Sequence, residues 1–429
     1  MKNKSIFILI LAFLCPMFAL GQNVSIVGKT NVPNALVRLL TYDEMFTREQ
    51  TKATETQSDK DGNFTLKTDI TEITPAQIAI NLDRIDFILC PGASYNLEIT
   101  IPDKGDVSFF EQEMPSLKIN SANDDDFYSQ FVAVQEFVDD FIYENFDRIY
   151  RGRQLSLLDT LDNQIVKSFG KIKNKYISDF VKYRKASMLM TVNTKQTLVE
   201  YFDNQEVLYM QQAYMDVLPG LRNTIVSDND FLSRNWQIAE LIRMMNLDAS
   251  YHSNPQNQNQ ILSALEQIEK TSKSKKNQLI AANIIKRLKE LSYDSEAPAF
   301  SLKDKNGKMV QLSDYQDDML LLQFVGNITS LVENEFEALN QLHKHWSDTI
   351  QIVTIAPKES FQSYVQLFDK QGYNWQLLNL GDNILLLEDY HVIIYPAYVI
   401  LKRNNRIGMA PAPSPDHNLE IQVRRISRY

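Results

Sequence analysis

The corner at which residues 320–325 lead into the following amphipathic segment is where this sequence could do chemistry. The apolar run 320–325 is typical of a buried strand, and apolar residues recur at helical spacing from Ser330 onward. Free N–H groups and the positive dipole end at the start of a helix favour anions and activated nucleophiles. The corner carries Thr329, Ser330, Leu331 and Val332, and it contains no thiol, imidazole or carboxylate. The sequence therefore predicts the architecture of an active site without an obvious reactive group.

Histidine could activate a hydroxyl at this corner, and His391 is the candidate partner of Thr329. Such a nucleophilic pair needs an orienting acid and an oxyanion hole, and the sequence identifies neither. His343 and His345 lie two residues apart on one predicted helix, so they point to nearly opposite sides and cannot share a metal. We therefore expect no metal and no cofactor.

The segment Asp59 to Asn63 resembles the beginning of a calcium-binding loop, because Asp59, Asp61 and Asn63 alternate. In an EF-hand loop, glycine occupies the sixth position and glutamate the twelfth. Here Gly62 is the fourth residue, and no glutamate closes the loop. Aspartate, asparagine and glycine are also the residues that tight turns prefer, so we predict a hairpin turn between two strands.

Residues 1–21 have the composition of a secretory signal peptide. Two lysines precede an apolar run that ends in small residues, so we expect cleavage before Gln22. Cys15 offers a lipoprotein alternative, but the bulky Leu14 before it does not suit lipidation. Cleavage leaves Cys90 as the only cysteine, so no internal disulfide can form. We expect Cys90 to be buried as a small hydrophobe, with pairing between chains as the alternative.

Length and charge limit the classes of function. A chain of 429 residues predicts two or three domains, and a hydrophobic content of 44% predicts a folded protein. A formal charge of −10 argues against nucleic-acid binding, which needs a basic surface. Beyond the first 21 residues, no segment is apolar enough to span a membrane.

Three regions follow the signal peptide. Residues 22–115 are predicted to form a small antiparallel β-sandwich, because apolar residues alternate in short runs separated by Gly, Pro, Asn and Asp. Residues 121–291 have helical periodicity, with Asn123 to Asp126 supplying an N-cap. The first apolar stripe of this helical region consists of Phe127, Phe131, Val134, Val138 and Phe141.

Residues 295–429 alternate strands and helices with short connections, which predicts an α/β sheet with covering helices. The predicted strands are 300–302, 310–312, 320–325, 350–356, 375–380, 397–401 and 407–409. The predicted helices are 330–346 and one that begins near Ser360. A polar turn at 403–405 joins the last two strands.

The last region resembles the thioredoxin-like domain of periplasmic thiol–disulfide interchange proteins of the TlpA-like branch. Four blocks in the family's order carry the resemblance. They are Ala297-Pro298-Ala299-Phe300-Ser301-Leu302-Lys303-Asp304, Asn306-Gly307-Lys308 with Leu312-Ser313-Asp314-Tyr315, Leu320–Leu339, and Tyr395-Pro396-Ala397-Tyr398-Val399-Ile400. The resemblance implies a thioredoxin fold, a cis peptide bond before Pro396, and an acid at Glu335. Gram-negative secreted relatives often carry a small β domain and a helical segment before this domain, which fits residues 22–291.

The sequence departs from the family at the reactive positions. Where the family has Cys-x-x-Cys, this chain has Thr329 and Val332. Exchange needs a thiolate to attack and a second thiol to release the mixed disulfide, so this site is expected to be degenerate. The family's hairpin glycine is replaced by Asn405-Arg406, and asparagine tolerates the left-handed conformation.

The resemblance implies a groove between the active-site turn and the proline loop that holds extended polypeptide. In this chain the groove would be lined by Thr329, Leu331, Val332, Ile394, Tyr395 and Pro396. We therefore expect an exported, periplasmic, redox-inactive protein that binds or scaffolds a polypeptide or protein partner. The alternatives are a thiol–disulfide oxidoreductase or peroxidase using Cys90, a hydrolase using Thr329 with His391, and a structural remnant with a decayed groove.

Overall fold

The computed structural model describes residues 22–102, 114–124, 126–253, 255–346, 350–392 and 394–427. The predicted signal peptide lies outside these residues. The described residues up to Asn193, together with Met210–Val217, form one compact unit, and Thr194–Tyr209 with the described residues from Leu218 onward form a second. No helix in the described ranges has the length and apolar character needed to cross a membrane.

The first unit begins with two four-stranded sheets. The strands are β1 (Gln22–Thr30), β2 (Leu36–Tyr42), β3 (Gln50–Gln57), β4 (Asn63–Ile70), β5 (Thr74–Ile80), β6 (Asp83–Leu89), β7 (Ser94–Thr100) and β8 (Ser116–Ala122). One sheet has the order β4-β1-β7-β8 and the other β3-β2-β5-β6. The alternating apolar residues of both sheets share one core, which agrees with the predicted sandwich. The prediction of a purely antiparallel sandwich is wrong, because β1 and β7 pair in parallel.

The turn at Asp59 to Asn63 is present, but it joins strands of different sheets rather than the two strands of a hairpin. Asp59 Oδ1 accepts the backbone N–H groups of Asp61 and Asn63, each at 2.8 Å. The hydrogen bonds from Asn63 hold the pKa of Asp59 below its usual range. Gly62 has a φ of 82°, and a Cβ there would lie 1.9 Å from the carbonyl oxygen of Thr30. The segment is therefore a close-packed turn that only glycine at position 62 allows.

The helices of the middle region are divided between the two units. In chain order they are α1 (Phe127–Glu144), α2 (Ser156–Phe169), α3 (Lys175–Met190), α4 (Thr194–Tyr201), α5 (Gln212–Met215), α6 (Leu218–Val226), α7 (Asn229–Arg234), α8 (Trp236–Ser253), α9 (Gln258–Thr271) and α10 (Lys275–Lys289). The predicted stripe of α1 is the set of residues that the helix buries. Asp126, the N-cap residue of α1, makes no side-chain cap, and Asp124 Oδ2 accepts the N–H of Tyr128 at 3.0 Å instead.

A seven-stranded sheet forms the C-terminal part of the second unit. Its strands are β9 (Ser301–Asp304), β10 (Met309–Gln311), β11 (Leu320–Phe324), β12 (Gln351–Ala356), β13 (Gln376–Asn379), β14 (Ala397–Lys402) and β15 (Arg406–Ala412). The order is β10-β9-β13-β12-β11-β14-β15. The covering helices are α11 (Ser330–Trp346), α12 (Phe361–Gln371), α13 (Leu385–Asp389) and α14 (Leu419–Ile426). Helices α13 and α14 were not predicted from the sequence.

The central strand β11 is buried along its whole length, as its apolar run predicts. It pairs in parallel with β12 and antiparallel with β14, and Phe324 lies opposite Ala397. This register places the segment before β14 beside the turn that follows β11. The polar turn between β14 and β15 contains Asn404 and Asn405 with φ of 59° and 54°, so asparagine does adopt the left-handed conformation there.

Candidate functional site

Hydrogen bonds to one carbonyl oxygen fix the turn between β11 and α11. The carbonyl oxygen of Gly326 accepts the hydroxyl of Tyr364 at 3.0 Å and that of Ser360 at 3.4 Å. Val325 donates its N–H to the carbonyl oxygen of Ile355 at 3.1 Å, which continues the pairing of β11 with β12 by one residue. Hydrogen bonds to β12 and to the beginning of α12 therefore fix the turn. Its exposed residues are Asn327, Thr329 and Ser330.

Thr329 caps helix α11. Its side chain is exposed, and its Oγ1 accepts the backbone N–H of Val332 at 3.3 Å. Its carbonyl oxygen accepts the N–H of Glu333 at 3.0 Å. A threonine hydroxyl that accepts this bond satisfies one of the orphan N–H groups of the first helical turn. Thr329 therefore caps α11 at the position where the resembled family has its attacking thiol.

Val332 does not present its side chain to a groove. It is 3% exposed and packs in the core of the sheet with Phe336 and Leu339. The expectation that Val332 lines a binding surface therefore needs correction. Thr329 precedes α11 as its capping residue, whereas Val332 lies within the helix on the face that packs against the sheet. The side chain of Leu331 lies outside the described part of the structure.

The proline loop lies directly against the turn. The peptide bond between Tyr395 and Pro396 is cis. A Cβ added to Gly326 would lie 3.0 Å from Cδ2 of Tyr395, so the tyrosine ring covers the glycine closely. Ile394 next to it is 72% exposed. The backbone N–H and carbonyl groups of Tyr395 make no hydrogen bond with the residues that the structure describes. Turn and loop together therefore form one surface with apolar side chains and available backbone groups.

A chain of buried hydrogen bonds crosses the sheet beneath this surface. Tyr398 donates its hydroxyl to Glu335 Oε2 and accepts Gln323 Nε2 at 3.1 Å. Thr354 then donates to Gln323 Oε1 at 2.8 Å, and Trp375 Nε1 donates to Thr354 at 3.0 Å. Burial raises the pKa of Glu335, and the hydrogen bond from Tyr398 opposes that rise. Burial and the neighbouring carboxylate both raise the pKa of Tyr398.

The other candidate groups are not assembled with Thr329. His391 Nε2 lies 3.4 Å from Glu290 Oε2, and among the described residues it makes no hydrogen bond to Thr329. No geometry for a Thr–His nucleophilic pair is present in these residues. No group of three or more His, Cys, Asp and Glu side chains within the described ranges could hold a metal ion.

Cys90 is half-buried against the sandwich core rather than fully buried. Its N–H donates to the hydroxyl of Tyr95 at 3.0 Å, and its carbonyl oxygen accepts the N–H of Ala93 at 3.2 Å. The backbone around this thiol is therefore fixed at the end of β6.

Comparison with known proteins agrees with this fold. Residues 294–409 match the model of the AhpC/TSA family. The thiol-disulfide oxidoreductase ResA of Bacillus subtilis is 27% identical over 118 residues. That match covers 27% of this chain and 65% of the relative, so the chain spans just under two thirds of the relative's length. The resemblance of the C-terminal domain to thioredoxin-fold thiol–disulfide proteins is thereby confirmed.

Solved structures are similar to part of this chain. The thioredoxin domain of a thiol-disulfide oxidoreductase from Bacteroides vulgatus is 19% identical, covers 32% of this chain and 98% of its own, and has a TM-score of 0.29. A thioredoxin-family thiol:disulfide interchange protein from Chlorobium tepidum is 14% identical, with the same coverage of 32% and 98% and a TM-score of 0.28.

Proposed function

We propose that this chain is an exported thioredoxin-fold protein that binds extended polypeptide at its corner surface and does not catalyse thiol–disulfide exchange there. The corner surface comprises Thr329, Ile394, Tyr395 and Pro396; Leu331, which the sequence also predicted for it, has its side chain outside the described part of the structure. The observation that carries the proposal is the pair of residues at the reactive positions. Exchange needs two thiols in sequence, and this chain has a helix-capping hydroxyl and a buried valine side chain in their places.

The geometry of the corner surface supports binding of an extended chain. Ile394 projects into solvent, and Tyr395 closes over Gly326, so apolar side chains flank the turn. The backbone of Tyr395 is available to pair with an incoming strand, in the manner of β-strand addition. Main-chain pairing would supply affinity, and Ile394 with Tyr395 would supply contact to the partner's side chains. Val332 contributes only to the buried floor.

A second candidate function is an oxidoreductase that uses Cys90, with periplasmic location in both cases. The name of the curated relative, thiol-disulfide oxidoreductase, favours this alternative. Against it, the chain has two cysteines, Cys15 and Cys90, and Cys15 lies in the predicted signal peptide. A mixed disulfide formed on Cys90 would therefore need a thiol from another molecule for its release.

Photo-crosslinking to a reduced and alkylated unfolded polypeptide tests binding without thiol chemistry. A benzophenone amino acid replaces the exposed Asn327, next to the corner surface. We expect an adduct whose yield falls about fivefold in Ile394→Ser, since about 1 kcal/mol of apolar contact is lost. Ile421, which is 60% exposed on α14, supplies the matched control, and Ile421→Ser should leave the yield unchanged. Equal yields in the two variants, or no adduct in the parent protein, would contradict the proposal.

A further inference from the structure

A half-open cavity of about 230 Å³ lies within the first unit, whereas the corner surface belongs to the second. One wall comes from β5 and β6 of the sandwich, and the other comes from α1, α3 and α5. All of its lining residues belong to the first unit. Binding pockets for drug-sized ligands usually measure about 300–1,000 Å³, so this cavity suits a smaller molecule.

Aromatic rings form much of the cavity wall. Phe87 and Tyr128 pack with ring centroids 4.9 Å apart, which joins the sheet side to α1. Phe131 packs against Tyr176 at 5.7 Å and against Phe180 at 5.5 Å, which joins α1 to α3. Because these rings pack against each other, they form an apolar wall that is ordered without a ligand. Their faces carry negative electrostatic potential, which attracts a cation.

The charged groups of the lining are mainly acidic. Asp86, Asp139 and Asp216 line the cavity together with one guanidinium, that of Arg184. Asp139 is paired with Arg184, and Asp216 is paired with Arg48 at 2.6 Å. Asp86 forms no ion pair with the described residues and accepts only the neutral amide of a glutamine on the neighbouring strand, at 2.7 Å. Asp86, an exposed residue, is therefore the lining carboxylate that has no ion pair among the described residues.

The phenols of the lining are subject to the negative field of Asp86. Burial raises the pKa of Tyr128 to about 12, and the charge of Asp86 adds to that rise. Burial likewise raises the pKa of Tyr42, again with a contribution from Asp86. The positive charges of Arg84 and Arg48 oppose the rise in the pKa of Tyr42, whereas no cation among the described residues opposes the rise in the pKa of Tyr128.

Neutral polar groups complete the lining. The side chains of Ser187, Gln135 and Gln212 make no hydrogen bond with the described part of the chain. A hydroxyl and two amide oxygens can accept the N–H groups of a ligand. These groups can donate as well as accept, so the charged residues decide the sign of the ligand: an anion would meet three carboxylates. The one guanidinium of the lining, that of Arg184, is paired with Asp139 through Nη2, and its buried Nε has no partner in the described residues and can donate to a neutral acceptor atom of the ligand.

We propose that this cavity binds a small organic cation with an apolar body, of the arylalkylammonium or alkylammonium class. The apolar body packs between the rings of Phe87, Tyr128 and Phe131, and the ammonium group lies toward Asp86. The aromatic rings contact the apolar body, and the carboxylate of Asp86 favours a ligand that carries a positive charge.

Calorimetric titration of the full mature chain with 2-phenylethylammonium tests this site, with phenylacetate as the anion of similar shape. We expect saturable binding of the ammonium and at least tenfold weaker binding of the carboxylate. Asp86→Asn keeps the side-chain shape and the glutamine contact while it removes the charge, and it should weaken ammonium binding about fivefold. Asp83→Asn, on the same strand outside the lining, should leave the affinity unchanged.

Three results would overturn the proposal. They are absence of ammonium binding at millimolar concentration, phenylacetate binding as tight as that of the ammonium, and equal effects of Asp86→Asn and Asp83→Asn. Thermal unfolding of each variant verifies that the first unit is folded, and Tyr128→Ala provides a second variant that removes ring contact without altering charge. Ammonium affinity that is unchanged in Tyr128→Ala would likewise contradict the proposed position of the ligand.

Discussion

Restoring two cysteines at the corner should create a reducible disulfide. The double substitution Thr329→Cys and Val332→Cys, made in a Cys90→Ser background, places two thiols three residues apart at the start of α11. Side chains at this spacing have Cβ atoms about 5–6 Å apart, and a disulfide needs about 3.5–4.5 Å, which a small adjustment of the first helical turn provides. Position 329 is exposed and position 332 is 3% exposed, so one sulfur is accessible and the other is shielded.

The expected magnitude follows from loop entropy and packing. A disulfide that closes a loop of four residues stabilises the folded state by about 2 kcal/mol relative to the reduced form. Loss of the threonine cap costs about 1 kcal/mol, and the smaller side chain at position 332 costs about 1 kcal/mol. The oxidised variant should therefore be about as stable as the parent protein, and the reduced variant about 2 kcal/mol less stable.

Urea unfolding with and without reductant measures this difference. Trp346 and Trp375 lie in the C-terminal domain, and the third tryptophan, Trp236, begins α8 of the same compact unit, so tryptophan fluorescence reports the unfolding of the second unit. Reduction should lower the urea midpoint by about 1 M. Each single cysteine variant serves as a control and should not respond to reductant. If both thiols stay reactive toward maleimide after oxidation, the assignment of this corner to a thioredoxin-type turn is wrong.

Three further substitutions test individual features of the fold. Thr329→Ala should lower the unfolding free energy by about 1 kcal/mol in urea titration, whereas Thr329→Ser keeps the capping oxygen and should cost little. Burial raises the pKa of Glu335 above its ordinary value of 4.5, because it disfavours the charged carboxylate. The protonated carboxyl therefore contributes stability that is fully present below the unfolded-state pKa and is lost as the pH rises through the folded-state pKa. Glu335→Gln should therefore stabilise the protein at pH 7, by an amount that shrinks in thermal melts as the pH falls toward 4. Gly62→Ala places a Cβ 1.9 Å from a backbone oxygen and should lower the free energy of unfolding by about 2 kcal/mol or more. Gly372→Ala, at a similar φ but with no atom near the added Cβ, should lower it by about 1 kcal/mol in the same melts.

Other outcomes would contradict these assignments. Equal destabilisation by the alanine and serine variants at position 329 would mean that the hydroxyl does not cap α11. A stability difference between Glu335→Gln and the parent protein that does not change with pH would mean that burial does not perturb this carboxyl. Equal costs at Gly62 and Gly372 would mean that the close approach at Gly62 is absent.

The elements predicted correctly from the sequence are those whose apolar residues follow helical spacing or form a continuous run. The stripe from Phe127 to Phe141 became the buried face of α1, and the apolar run 320–325 became the central strand β11. Strand β3, Gln50–Gln57, was missed because most of its residues are polar and only partly buried or exposed, so its periodicity carries little signal. Helix α14 was missed because it is short, although Leu419, Val423 and Ile426 follow helical spacing.

Long-range pairing and packing limited the prediction of the sites. The alternation in β1 shows which residues are buried, but it does not show that β7 joins β1 in parallel. The motif blocks located the corner at residues 329–332, yet the inward direction of Val332 depends on how α11 packs on the sheet. The cavity of the first unit is formed by residues as distant in sequence as Tyr42 and Asp216, and no local pattern marks such a site.

We infer that this thioredoxin-fold protein binds polypeptide at its corner surface and does not catalyse thiol–disulfide exchange. Insulin disulfide reduction by the mature chain, in the presence of dithiothreitol, tests it most directly. We predict a rate equal to that of dithiothreitol alone, both for the parent protein and for Cys90→Ser. A rate clearly above that background in the parent protein, abolished by Cys90→Ser, would contradict the claim and assign the activity to Cys90.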